Sequence, residues 1–328
     1  MILRPLAALA AIVSAASATS SATVSDGHQE PTCALELVVL GAGQDAGAPQ
    51  LGNPLDEAPP LLPTALGIVD RAAGQRYLFE ATPAITEQVH ALDRIEAGDA
   101  STPGSLGLDA VFVTHAHIGH YLGLAQFGVE SAGADGQRVF AMPRMAQFLR
   151  VNGPWSQLVE FGNIDLVELA DEQPVKLSDN FSVTPMRVPH RDEYSETVGF
   201  QMSSTGKRVV FIPDLDSWDE WEEMSGDSLE ALIARVDFAF VDATFFDDNE
   251  LPGRDMSAIP HPRVSSTMER LAHLPEAERA KVHFIHYNHT NPIREPQSAE
   301  SALVAERGFH VARRGDRHCL VDGVVADR

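Results

Sequence analysis

The residues of this 328-residue chain best suited to chemistry lie in Asp109–Leu124, DAVFVTHAHIGHYLGL, where His115, His117 and His120 fall within six positions. Neutral imidazole suits zinc and iron, and three rings at one place can offer their nitrogens to one cation. A lone histidine more often finds an ordinary hydrogen bond in the core or at the surface. Here the spacing favours the metal. Ala110–Val113 reads as a buried apolar strand, so His115 and His117, two apart on extended backbone, point to the same side. His120 then enters from the first turn of a helical pattern. The order of strand, histidines and helix places the three rings at the rim of a sheet.

This stretch resembles the His-x-His-x-Asp-His signature of the metallo-β-lactamase-fold superfamily, with Gly119 where that family usually has Asp. HAHIGHYLGL here and GAGQDAGAPQ at Gly41–Gln50 are most similar to the branch containing coenzyme PQQ synthesis protein B, within the wider phosphodiesterase-like group. The resemblance runs from Leu35 to Asp322 and implies a four-layer αβ/βα sandwich, an α/β fold with its metal site at one sheet edge. It implies one ligand set of His115, His117, His190 and Asp214, and a second of His120, Asp214 and His286. Asp216 is the fallback for Asp214, and Asp242 is expected to orient a ligand histidine. His286 closes the strand Lys281–His286 and is preferred to His289, which lies in the following turn. His261 is either a proton donor to substrate or a structural cap. The loop Gly41–Gln50 lies at the mouth of the metal site in the resembled family; on its residues alone it is equally a structural turn. The Asp missing at Gly119 belongs to the second set, so one strong metal position and one weakened position are expected, with zinc as the divalent ion and iron or manganese as alternatives.

The positioning elements are legible too. Leu35–Leu40, Thr64–Asp70 and Arg76–Glu80 read as strands, and Pro83–Ile95 as a helix opened by proline. A strand at Val139–Met142 leads to a helix at Pro143–Val151, and Asn152–Ser156 reads as a loop carrying Trp155. Strands follow at Ile164–Leu169, Phe181–Val188, Thr197–Met202, Lys207–Ile212 and Val236–Val241, with helices from Pro262 and over Gln297–Arg307. Alternating strands and helices argue for sheets covered by helices, not for an all-β barrel. The Gly-rich loop after the first strand lacks the G-x-G-x-x-G spacing of a dinucleotide site.

Arg4, the apolar run Leu6–Val13 and Ala16-Ser17-Ala18 form the pattern of a secretory signal peptide cleaved after Ala18, followed by a flexible leader, residues 19–34, and a single domain over 35–328. The protein is thus expected to be periplasmic or secreted, with no membrane-spanning segment. A formal charge of −23 disfavours nucleic acid and acidic membranes as partners, while a bound cation still permits a small anionic substrate. Cys33 and Cys319, near opposite ends of the mature chain, are expected close enough to bridge. The leading function is a metal-dependent hydrolase of a small ester, phosphoester or amide, with Asp214 holding the attacking water and His261 serving the leaving group. An iron-dependent oxidation like that proposed for coenzyme PQQ synthesis protein B is the alternative, although export counts against a cofactor-biosynthetic role. A metal-bearing binding protein without catalysis is the third.

Overall fold

Short runs of branched and aromatic residues, set off by Gly, Pro and Asp turns, become strands throughout the computed structural model, which describes residues 33–53 and 58–323. The expected signal peptide and most of the leader lie outside the described residues. One seven-stranded sheet contains β1 (Cys33–Gly41), β2 (Ala65–Asp70), β3 (Gln75–Phe79), β4 (Ala110–Phe112), β5 (Gln137–Ala141) and β6 (Ile164–Glu168). The other contains β7 (Val175–Lys176), β8 (Phe181–Arg187), β9 (Val198–Ser204), β10 (Arg208–Ile212), β11 (Phe238–Asp242), β12 (Val282–Ile285) and β13 (His310–Val311). The last strand, β14 (Arg317–Asp322), returns to the first sheet beside β1.

Both faces of the first sheet are covered, which follows from how β1 alternates. Leu35, Leu37 and Val39 enter a core shared with Phe200 and Phe211 of the second sheet, whereas Val38 and Leu40 pack with Leu92 and Leu149 of the outer helices. Between the sheets, register places Phe79, Phe112 and Phe140 side by side on β3, β4 and β5. Their rings stack at 4.9 and 4.6 Å, and Phe200 meets Phe79 edge-on at 5.5 Å. The architecture is the expected metallo-β-lactamase sandwich.

Local departures have local causes. The helix after the histidine cluster is a single α-turn, Ile118–Tyr121, continued as a 3₁₀ turn over Leu122–Phe127. Gly123 N–H donates to Ala81 O at 2.8 Å instead of to the carbonyl four residues back, which diverts the α ladder. Trp155 does not sit in a loop. It opens the helix Trp155–Glu160 and packs against Tyr121 with ring centroids 4.7 Å apart.

Cys33 and Cys319, 286 positions apart in sequence, are joined by a disulfide, with Cα atoms 5.5 Å apart. Their strands β1 and β14 are adjacent, and Glu36 receives the Arg317 guanidinium at 2.6 Å beside the bridge. Closing so long a loop removes denatured-state entropy worth roughly 5 kcal/mol in the chain-entropy account. Replacing both cysteines by serine should therefore lower unfolding stability by several kcal/mol in urea titration, and an unchanged midpoint would contradict that account.

A separate histidine group predicts a pH dependence. His283 on β12 is buried, with His310 and His318 at ring distances of 4.9 and 5.0 Å. Burial, then the charges of His318 and His310, push its pKa down to about 3. The unfolded ring titrates near 6.5, so this neutral histidine contributes fully above that pH. Its contribution falls, by up to about 1.4 kcal/mol per pH unit, as pH drops from 6.5 toward 3. His283→Gln should flatten the stability curve in that window, measured by thermal melts against the parent.

Candidate metal centre

Strand direction brings the expected residues to one edge. β8 is antiparallel to β9 and β9 to β10, while β10, β11 and β12 are parallel, so β8, β10, β11 and β12 all end on one side. His190, Asp214, Asp242 and His286 stand at or just beyond those ends. In the facing sheet β3 and β4 are parallel, and their ends deliver Glu80 and then Thr114, His115 and His117. The rings of His117 and His190 come within 4.9 Å although 73 positions separate them in sequence.

All six expected ligands converge. His115 Nε2 lies 2.8 Å from His117 Nδ1, His117 Nδ1 lies 3.1 Å from His190 Nε2, and Asp214 lies 3.4 Å from His115 and 3.7 Å from His190. Donors at about 2.0–2.1 Å around a tetrahedral cation stand roughly 3.3 Å apart, and the observed separations bracket that figure. On the other side of Asp214, its Oδ2 is 3.1 Å from His120 Nε2 and 3.5 Å from His286 Nε2. The single carboxylate therefore faces both donor sets.

The outer nitrogens explain which atoms face inward. Thr114 donates its hydroxyl to Glu80 at 2.6 Å, so at 2.9 Å its oxygen accepts from His115 Nδ1 and leaves His115 Nε2 with a lone pair. His120 Nδ1 donates to Glu80 at 3.1 Å. Thr244 donates to Asp242 at 2.8 Å and accepts from His286 Nδ1 at 3.1 Å. Asp216 holds His190 Nδ1 at 2.8 Å, and Glu193 holds His117 Nε2 at 3.2 Å. Such outer partners fix ring orientation and raise donor strength. Asp242, expected to orient a ligand histidine, holds His261 Nδ1 at 2.8 Å directly and reaches His286 only through Thr244.

Electrostatics favour a cation. Burial, followed by the neighbouring His120, holds His115 well below the usual histidine range, so its ring is neutral. Burial also opposes protonation of His120, but Glu80 and Asp214 outweigh it and hold that ring well above its usual value. Positive charge is thus stabilised at this position. His120 Nε2, His286 Nε2 and Asp214 Oδ1 are buried and have no hydrogen-bond partner among the described residues. A divalent cation fits these donors: they are imidazole nitrogen and carboxylate oxygen, inward-facing and otherwise unsatisfied.

Backbone strain gathers at the same place. Of the five non-glycine residues with positive φ among the described residues, Glu80 (78°), His261 (86°), His286 (66°) and Asp45 (38°) surround the centre, and only Glu172 lies elsewhere. Such conformations cost energy and persist where surrounding structure enforces them. His261 lies inside the centre, with Nδ1 3.4 Å from Asp214. His289 belongs to neither donor set, and its Nδ1 is held by Asn288 Oδ1 at 2.8 Å.

Several residues of the centre escape a reading of the sequence. Glu80 and Thr114 carry the same strand-end signal as the histidines but are not themselves obvious ligands. Asp216 is legible only as a substitute for Asp214, and in the structure it braces His190. Asp45 lies in the GAGQDAGAPQ loop, yet its Oδ1 reaches to 3.7 Å from His120 Nε2.

Residues 75–287 match the family model described as beta-lactamase superfamily domain. The coenzyme PQQ synthesis protein B of Rhizobium meliloti (strain 1021) is 28% identical over 316 residues, covering 87% of this chain and 97% of that protein. The crystal structure of Zn(2+)-bound PqqB from Methylobacterium extorquens superposes with a TM-score of 0.67 at 21% identity, covering 86% of this chain and 99% of that one. A diphosphatase from the PhnP family superposes with a TM-score of 0.58 at 18% identity, covering 87% and 96%. A matched stretch that carries the histidine cluster, the shared carboxylate and strands of both sheets shows that this chain belongs to the beta-lactamase superfamily and has the metallo-β-lactamase fold.

Proposed function

We propose that this chain is a PqqB-like, metal-dependent enzyme acting on a small molecule at the centre built around Asp214. The observation that carries the reading is one buried carboxylate facing two sets of inward-turned imidazole nitrogens, with the outer nitrogens already occupied. The ligands in this reading are His115, His117 and His190 on one side, His120 and His286 on the other, and Asp214 between them. Similarity to PQQ synthesis protein B over 87% of this chain gives an iron-dependent oxidative step in that pathway more support than the hydrolase reading receives. The paired donor sets support the hydrolase.

When bound, a divalent cation supplies a Lewis acid and lowers the pKa of its water from about 15.7 toward 7. In the hydrolytic reading Asp214 Oδ1, buried and without a hydrogen-bond partner among the described residues, holds and deprotonates the attacking water. With His261 Nδ1 tied to Asp242, its Nε2 is the nitrogen left to give a proton to the leaving group. Asp242 positions that ring and keeps it close to the reacting atoms.

Export is proposed on two supports: the apolar, small-residue pattern of the first eighteen positions and the Cys33–Cys319 bridge, which an oxidising compartment maintains. Cell fractionation with mass measurement of the mature N-terminus tests it. A mature chain starting at Thr19 outside the cytoplasm is expected, and an intact cytoplasmic chain would refute it.

Metal analysis of protein purified without added metal separates the two reactions. Bound iron supports oxidation, and zinc or manganese supports hydrolysis. Protein that neither retains nor binds divalent metal would refute both. Within the centre, His286→Ala should lose metal from the His120 side while the fold, followed by circular dichroism, is kept. His289→Ala should leave metal content nearly unchanged, and equal loss in both variants would sink the assignment of His286.

A further inference from the structure

The superfamily signature puts an aspartate directly before the third histidine, and here that position is Gly119. Sequence alone therefore leaves the second donor set short of a negative charge. The structure shows what occupies the vacated space. A Cβ built on Gly119 would stand 2.3 Å from Asp45 Cα, 2.7 Å from Asp45 Oδ1 and 2.9 Å from the Asp45 carbonyl carbon. No side chain fits at position 119 while the loop after β1 lies where it does. The glycine is required by the approach of another backbone, not by its own conformation.

The loop is fixed there. Gln44 N–H donates to Tyr287 O at 3.0 Å, and Tyr287 N–H donates to Ala42 O at 3.0 Å, so the loop is tied to the residue that follows His286. Gly47 N–H closes the turn onto Gln44 O at 2.8 Å, with Asp45 at its tip. Asp45 adopts a φ of 38°, which aspartate tolerates better than most residues. Its carboxylate belongs to one group with His120 and His286 whose donor atoms all lie within 4.8 Å of one another. In both of those histidines Nε2 is buried and has no hydrogen-bond partner among the described residues, and His120 Nε2 lies 3.7 Å from Asp45 Oδ1.

We propose that Asp45 supplies, from the loop after β1, the carboxylate of the second metal position that Gly119 gives up. The second position is then held by Asp45, His120, His286 and the shared Asp214, and carries two negative charges, as it would with an aspartate at position 119. This inference rests on the metal-centre reading above and removes the expectation that the second position is weak. It also makes Asp45 and Gly119 a linked pair, since a side chain at 119 and the loop at 45 exclude each other.

Calorimetric titration of Zn(II) into metal-stripped full-length protein tests the inference, with Co(II) absorption as a second readout. The parent should bind two equivalents. Asp45→Asn, which keeps shape and removes charge, should retain one tight equivalent and weaken the other by more than about tenfold, the lower bound typical of outer-sphere changes. Near-ultraviolet circular dichroism and a thermal melt establish that the variant is folded, and Asp45→Ala serves as a second variant. Gly119→Asp in the Asp45→Asn background should not restore the lost site, because the backbone of residue 45 still blocks it. Two unweakened equivalents in Asp45→Asn, a single equivalent in the parent that the variant leaves unchanged, or restoration by Gly119→Asp would each overturn the assignment. A parent that binds no metal at all would instead remove the metal-centre reading on which the inference stands.

Discussion

A carboxylate buried at the seam between two sheets needs compensation, and Asp214 is such a group. Its side chain is 3% exposed, and five imidazoles, those of His115, His120, His190, His261 and His286, lie between 3.1 and 3.7 Å from its oxygens. Two more buried carboxylates, Glu80 and Asp242, stand behind those rings. Among the described residues no Lys or Arg forms an ion pair with any of the three. An isolated buried charge costs several kcal/mol, and His120 and His261, whose protonated forms these carboxylates favour, answer the three charges only in part. Divalent cations at the paired nitrogens resolve that imbalance, which is why the metal reading follows from the electrostatics of the fold as well as from its ligand list.

The rest of the architecture serves that seam. The stacked Phe79, Phe112 and Phe140 lie under the strands that carry Glu80 and His115, so the apolar core between the sheets sets the distance across which His117 and His190 meet. Parallel β10, β11 and β12 bring Asp214, Asp242 and His286 to one level. The disulfide and the Glu36–Arg317 pair hold the returning β14 against β1, which leads into the loop bearing Asp45. Oxidation and hydrolysis both begin from this arrangement. What separates them is the bound ion and the substrate, neither of which the donor geometry alone selects.

Much of this was legible in the sequence because strand ends announce themselves. An apolar run followed by His or Asp places His115, His190, Asp214 and His286 at strand ends, while it is the family resemblance that implies His190, Asp214 and His286 as ligands; the short helix Pro143–Val151 is bounded as its opening proline and periodicity suggest. The interrupted helix after His120 was not legible, since its cause is a hydrogen bond to Ala81, a distant strand end. Trp155 looked like a loop residue because Gly153 and Pro154 precede it, yet burial against Tyr121 starts a helix there. Asp45 was hidden for a related reason. Nothing in GAGQDAGAPQ states that its aspartate meets a glycine 74 positions later, and only the close approach of the two backbones reveals the exchange.

The most direct test of the account is an anomalous difference map from crystals of the full chain grown with Zn(II) and recorded at the zinc edge. The account predicts one peak among His115, His117, His190 and Asp214, and a second among Asp45, His120, His286 and Asp214. A map without a peak beside Asp214 would contradict it.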